Sequence, residues 1–200
     1  MNVYDFDGTI YQGDSSVDFY LFCLTRHWHI ISYLPTQLFA LLCYRFRLIT
    51  KKACKEGFFT FLRGLESPKA EAVEFWERNR KKIYTWYLEQ QHPDDVVISA
   101  SPEFLLVPIC ADLGIKHLIA TRVSSDGSIF GANCHGEEKS NRFREVFGDV
   151  QIEQFYSDSL SDLPMAKLSQ SPYFVRNGKR RKWFFDITES PDGNSQDSHV

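Results

Sequence analysis

A chain of 200 residues that is 43% hydrophobic and 15% aromatic can bury a sizeable core, as one domain or as one domain carrying an insertion. With 23 Lys and Arg against 26 Asp and Glu, a net charge of -3, it lacks the basic excess of a general DNA- or RNA-binding protein. Cys23, Cys43, Cys54, Cys110 and Cys134 are odd in number and form no C-x-x-C pair. They indicate neither a disulfide framework nor a thiolate zinc site, and suit a reducing, cytoplasmic compartment. Asp5 stands so near Met1 that a removable secretory leader is not expected.

Residues 2–6 are short and apolar and run into Asp7-Gly8, which predicts a buried strand ending in a turn. The next 75 or so residues have helical character, too long for a βα connection, and predict an inserted domain. Helices are expected over 17–25, 28–48, 51–62 and 68–90, the last opened by Ser67 with Pro68 at its first turn, together forming a small bundle. Further strands are expected at 96–99, 118–123, 154–157 and 173–175, alternating with helices over 103–113 and 139–147. That alternation predicts an α/β fold with a doubly wound parallel sheet. Ser125-Asp126-Gly127 and Asn177-Gly178 mark hairpins, the second followed by a solvated edge strand over 179–185. The domain boundaries that follow are 1–14 and 92–188 for the sheet domain and 15–91 for the helices, with 189–200 a frayed tail.

Asp5 and Asp7 are alternate residues at the end of the first strand, where open α/β sheets gather ligands. One carboxylate can attack a phosphorus atom while the other protonates the leaving oxygen and later deprotonates water. Asp158 and Asp162 repeat the arrangement after the fourth strand, where carboxylates can face a hard cation. Ser99, Ala100 and Ser101 end the second strand with hydroxyls and N–H groups ahead of a helix, a place suited to a phosphate oxygen. Ser101 and Asp162 could also serve as helix caps. Lys139 stands at a helix start, unfavourable for the helix dipole, which points to another duty.

DFDGT, ISAS, NCHGEEK and SDSLSDLPM, in this order and spacing, resemble the haloacid dehalogenase superfamily, and within it the phosphoserine phosphatase-like branch (subfamily IB) with a helical cap of the C1 type after the first motif. The resemblance implies a Rossmann-like core and a Mg²⁺-dependent phosphomonoesterase acting on a small phosphorylated metabolite. By resemblance Asp5 is the nucleophile and Asp7 the general acid/base. Thr9, Ser99, Ala100 and Lys139 hold the phosphoryl group, and Asp5, the Asp7 carbonyl and Asp158 bind Mg²⁺ with support from Asp162. Asp14 stands where phosphoserine phosphatases carry a glutamate, and is the candidate reader of the leaving group.

YSDSLSDLPM followed by a short strand also resembles phosphatidylglycerophosphatase C, which makes a membrane-associated lipid phosphatase the alternative. A second alternative is a non-catalytic phospho-ligand module, disfavoured because it has no chemical need for both Asp5 and Asp7. Residues 28–44 lack Lys, Arg, Asp and Glu and precede Arg45, Arg47, Lys51 and Lys52, a pattern that could lie on an anionic bilayer. Pro35 and Gln37 interrupt the run, so a buried helix of the bundle is the preferred expectation. His27, His29, His92, His117, His135 and His199 show no paired ligand spacing and are expected at the surface or in structural roles.

Overall fold

A computed structural model describes residues 1–184. Strands β1 (Asn2–Tyr4), β2 (Val96–Pro102), β3 (His117–Thr121), β4 (Ile152–Ser157), β5 (Ser169–Arg176) and β6 (Lys179–Lys182) form one sheet in the order β3-β2-β1-β4-β5-β6. The first five are parallel, and β6 returns antiparallel through Asn177 and Gly178, both at positive φ. This is the expected doubly wound α/β fold. All four residues of β6 are exposed, as a charged edge strand should be. The tail expected over 189–200 lies outside the described residues.

Between β1 and β2 run α1 (Ser15–Arg26), a 3₁₀ segment (Trp28–Tyr33), α2 (Leu34–Arg45), α3 (Lys51–Phe59), α4 (Pro68–Asn79) and α5 (Thr85–Gln90). Caps explain three of the starts. Asp14 accepts from the Ser16 and Val17 N–H groups, Thr50 from Ala53, and Ser67 from Ala70. Two long helices expected from the sequence are broken. Residues 28–48 divide at Leu34 and Pro35, because a proline in the first turn starts a helix rather than continuing one. Residues 68–90 divide at Ile83, which bridges Tyr11 while the Tyr84 N–H donates to Ile10 O. The expected burial of 28–44 is also wrong. In α2 only Gln37 and Ala40 are buried. Among the described residues no helix is long and apolar enough to cross a membrane.

Helix α6 (Glu103–Asp112) follows β2, α7 (Glu137–Phe147) follows β3, and the short α8 (Leu163–Ala166) follows β4. Strand alternation sorts the sheet residues between two faces. Val3, Val96, Ile98 and Phe155 pack with Phe143 of α7 and Met165 of α8. Tyr4, Val97 and Tyr156 point the other way, into an apolar cluster shared with Leu105 and Ile109 of α6, Phe19 and Phe22 of α1, and Phe75 and Trp76 of α4. Tyr4, Tyr156 and Tyr173 stack across three strands with centroids 4.8 and 4.9 Å apart. The inserted helices thus share one continuous core with the sheet, and the Trp76 indole N–H donates to Leu105 O at 2.6 Å.

Candidate active site

The strand order reverses between β1 and β4, and at such a switch point the carboxyl ends of strands diverge into a crevice. Asp5 and Asp7 leave β1 there, Ser99 lies in β2, and Asp158 and Asp162 follow β4. All five, together with Ala100, Asp14 and Lys139, line one cleft of about 1340 Å³. The local sequence makes the turn after β1 obligatory. Gly8 has φ +69°, and a Cβ there would collide with the Asp158 carboxylate, so the glycine admits the second acidic loop to the first.

The Lys139 ammonium is 2% exposed and donates to Asp5 Oδ1 and Asp162 Oδ2, both at 2.7 Å. Burial opposes its charge, but Asp5 and Asp162 outweigh that and hold its pKa above that of a free lysine. The position in the first turn of α7 that disfavours a lysine is therefore offset by two buried carboxylates. Burial, with help from the charges of Asp162 and Asp7, pushes the Asp5 carboxyl up to about 7 in spite of Lys139. Asp162 does not act as a side-chain cap; its Oδ2 also accepts from Ser157 Oγ at 2.8 Å. Its Oδ1 is buried with no partner among the described residues.

Asp7 is held by groups from two other elements. Its Oδ1 accepts from the Ser15 N–H at 2.7 Å and its Oδ2 from Ser101 Oγ at 2.5 Å. Ser101 in turn meets Ser15 Oγ and Ser16 Oγ, tying the start of α1 to the end of β2. Ser101 is therefore neither a cap nor a bystander, a role invisible in sequence because Asp7 is 94 positions away. Burial first, and then the charge of Asp14, push the Asp7 carboxyl up to about 6. A carboxyl titrating there can both give and take a proton near neutrality.

Two expected phosphate or substrate contacts need adjustment. Thr9 is fully buried and does not line the cleft, because the N–H groups of Thr9, Ile10 and Tyr11 all turn back onto Phe6 O. Asp14 does line it, but its Oδ1 is engaged as the cap of α1. Ser99 Oγ accepts from the Ser101 N–H at 3.1 Å, which orders the end of β2.

Three basic residues missed at the sequence level come from helix α3 and the loop before α7. Lys55 donates to Ala100 O and Asn133 Oδ1, and burial together with Lys51 lowers its pKa to about 8. Lys51 lies 2.6 Å from His135 Nε2, which also meets Ser161 Oγ at 3.1 Å. His135 thus lines the cleft instead of standing apart, whereas His27 and His29 have the structural partners expected, Glu71 and Gly64 O. All three side chains line the same cleft as Asp5, Asp7 and Asp158, a juxtaposition that only the tertiary fold creates.

Among the described residues no three His, Cys, Asp or Glu side chains converge as a complete metal cage. Mg²⁺ rarely needs one, since it takes one or two carboxylates and keeps several waters. Asp5, Asp7 and Asp158 all line the cleft, and their oxygens have the all-oxygen, anionic chemistry that such an ion takes. The unpartnered Asp162 Oδ1 and the Asp158 carboxyl, raised in pKa by burial, leave negative charge to be neutralised beside it.

A family model described as haloacid dehalogenase-like hydrolase matches residues 3–167. Protein CicA of Caulobacter vibrioides (strain NA1000 / CB15N) is 38% identical over 92 residues, 42% of this chain and 41% of that protein. Probable phosphatase Rv3661 of Mycobacterium tuberculosis (strain H37Rv) is 40% identical over 80 residues, 36% of this chain and 28% of that protein. The chain matches less than half the length of either relative. In fold it is similar to a protein with unknown function from Bordetella pertussis Tohama I, with a TM-score of 0.70, 20% identity, and 86% and 87% of the two chains covered. A probable phosphoserine phosphatase from Vibrio cholerae superposes with a TM-score of 0.58 at 8% identity, covering 86% of this chain and 55% of that one. With the family match covering the ends of β1, β2 and β4 together with Lys139, the chain belongs to the haloacid dehalogenase-like hydrolases.

Proposed function

We propose that the chain is a Mg²⁺-dependent phosphomonoester hydrolase that works through a phosphoaspartate on Asp5. The observation that carries this reading is the buried ammonium of Lys139 on Asp5 Oδ1, with the Asp7 carboxyl two residues on and held from two sides. In the first step an Asp5 oxygen bonds to phosphorus, the ester P–O bond breaks, and Asp7 gives its proton to the leaving oxygen. In the second, Asp7 takes a proton from water, whose oxygen attacks phosphorus and frees Asp5 and inorganic phosphate. Lys139, Ser99 and the Ala100 N–H hold the phosphoryl oxygens in place. A bound Mg²⁺, held by Asp5, the Asp7 carbonyl and Asp158 with Asp162 behind, would neutralise charge on the phosphoryl group.

In this reading residues 15–91 are a cap over a core of 1–14 and 92–188, and Asp14 lies on the leaving-group side of the cleft. The enzyme works in the cytoplasm, which suits five free cysteines. Hydrolysis of 4-nitrophenyl phosphate with and without Mg²⁺ tests the proposal. Asp5→Asn is expected to remove turnover, and Asp7→Asn to slow it by roughly 10²-fold or more. Full activity in Asp5→Asn would rule out the covalent mechanism.

A further inference from the structure

Ten of the twenty large apolar side chains exposed among the described residues lie within residues 28–48, the 3₁₀ segment, α2 and the loop after it. Trp28 is 79% exposed, Phe39 69%, Phe46 67% and Leu48 73%, and Ile31, Leu38, Leu41 and Leu42 are each more than half exposed. Monomeric soluble proteins rarely present so many adjoining large apolar side chains without a partner. The inner face of α2 is already settled. Ala40 sits so close to Gly57 of α3 that a Cβ at Gly57 would collide with it, and the Gln37 amide donates to Phe58 O at 2.9 Å. The outward residues are therefore not waiting for a neighbour within the described chain.

Charge identifies the occupant. Residues 19–55 contain no Asp or Glu; of their basic residues, Arg26 pairs with Glu71 and Glu74, and Lys51, Lys52 and Lys55 reach His135, Gly131 O and Ala100 O, which leaves Arg45 and Arg47 for the outer face. Arg45 and Arg47 are exposed beside Phe46 and Leu48. Two copies meeting through this face would bring like charges together, whereas an anionic lipid surface meets both the apolar and the basic side chains. The cleft opens at the same place: Leu34, Leu38 and Leu41 belong to the exposed face and also line the cleft, next to Tyr20 and Phe58. A cleft of about 1340 Å³ exceeds the usual ~300–1,000 Å³ of small-ligand pockets, leaving room for an apolar body behind the phosphate.

We propose that the 3₁₀ segment Trp28–Tyr33 and α2 dock on an anionic bilayer, and that the cleft hydrolyses lipid phosphomonoesters presented there. The substrate half rests on the phosphatase reading above; the docking half does not. In the reaction the P–O ester bond breaks, water supplies oxygen and proton, and the products are a lipid alcohol and inorganic phosphate.

The test uses the full chain with vesicles of phosphatidylcholine alone or mixed with phosphatidylglycerol, read by flotation and by tryptophan emission. The protein is expected to float with the anionic vesicles and to shift its emission to the blue, a shift absent in Trp28→Phe. Phe39→Asp/Leu42→Asp, and separately Arg45→Glu/Arg47→Glu, should lower the vesicle-bound fraction about tenfold or more. Both double variants should hydrolyse vesicle-borne phosphatidic acid more slowly while turning over 4-nitrophenyl phosphate as before, which also reports that they are folded. Wild-type protein that stays in solution with anionic vesicles overturns the docking. So does a dimer in sedimentation that Phe39→Asp dissociates, because the face would then be covered by a second copy. Flotation without hydrolysis of either ester overturns the phosphatase reading and the lipid substrate, and leaves the docking standing.

Discussion

The Lys139 ammonium is buried against two carboxylates 2.7 Å away, one in the turn after β1 and one before α8. Removing a partner from a buried ion pair leaves uncompensated charge and costs about 3–5 kcal/mol. Lys139→Met is therefore expected to lower unfolding stability by about that amount in urea, with Asp162→Asn in the same chain recovering part of it. A loss below about 1 kcal/mol would show that the carboxylates find water or another cation, and that Lys139 is not a keystone of the site. Such residues differ in how far sequence reveals them. Asp5, Asp7 and Lys139 stand out because their local positions, two acids at a strand end and a lysine at a helix start, suit nothing else well. Ser101, His135 and Lys55 stand in unremarkable contexts, and their partners are supplied from other elements. Thr9 shows the converse, a residue within a specific motif that the turn onto Phe6 O withdraws from the cleft.

Helix α3 is fastened to the segment between β3 and α7 along its length. Lys52 donates to Gly131 O at 2.7 Å, Glu56 accepts from the Ile129 N–H at 3.0 Å, and Lys55 reaches Asn133. Beyond the helix, Arg63 donates to Asp126 O at 2.9 Å. At the tip, Gly127 has φ +90°, and a Cβ there would lie 2.6 Å from the Phe59 carbonyl oxygen. A backbone atom cannot swing aside as a side chain can. Gly127→Ala should thus add a clash to the ~1–2 kcal/mol of left-handed strain. Gly114→Ala, at φ +71° with nothing within 4 Å, should show the strain alone. Comparing their melting temperatures isolates the clash, and Gly127→Ala should also raise KM by loosening Lys51 and Lys55 over the cleft. Equal destabilisation in the two variants would mean that α3 yields freely. The strands were legible from short apolar runs before turns, and the hairpin from Asn177-Gly178. The breaks at Leu34 and Ile83 were not. Apolar periodicity continues through both, and only the bridge from Ile83 to Tyr11 decides the second.

Across the whole molecule, charge is divided by topology. Residues 15–91 carry a net +5 and the remainder -8, and the sheet gathers the acidic loops after β1 and β4 into one crevice beneath the basic helices. Folding thus concentrates carboxylates that the unfolded chain keeps apart, and burial raises the pKa values of Asp5, Asp7 and Asp158. One buried ammonium offsets part of that charge. A divalent cation that binds the folded chain and not the unfolded one must then stabilise it by mass action. At a hundredfold excess over Kd the gain is about 2.7 kcal/mol, which for a chain of this size is a rise in Tm of roughly 5–10 °C. Thermal unfolding with Mg²⁺ and after chelation measures this without any substrate. Asp158→Asn should shrink the shift, since it removes a ligand assigned to the ion, while Asp94→Asn, on an exposed pair with Lys116, should leave it unchanged. An unchanged Tm at saturating Mg²⁺ would mean that Lys139 alone balances the crevice and that the carboxylates after β1 and β4 do not form a cation site.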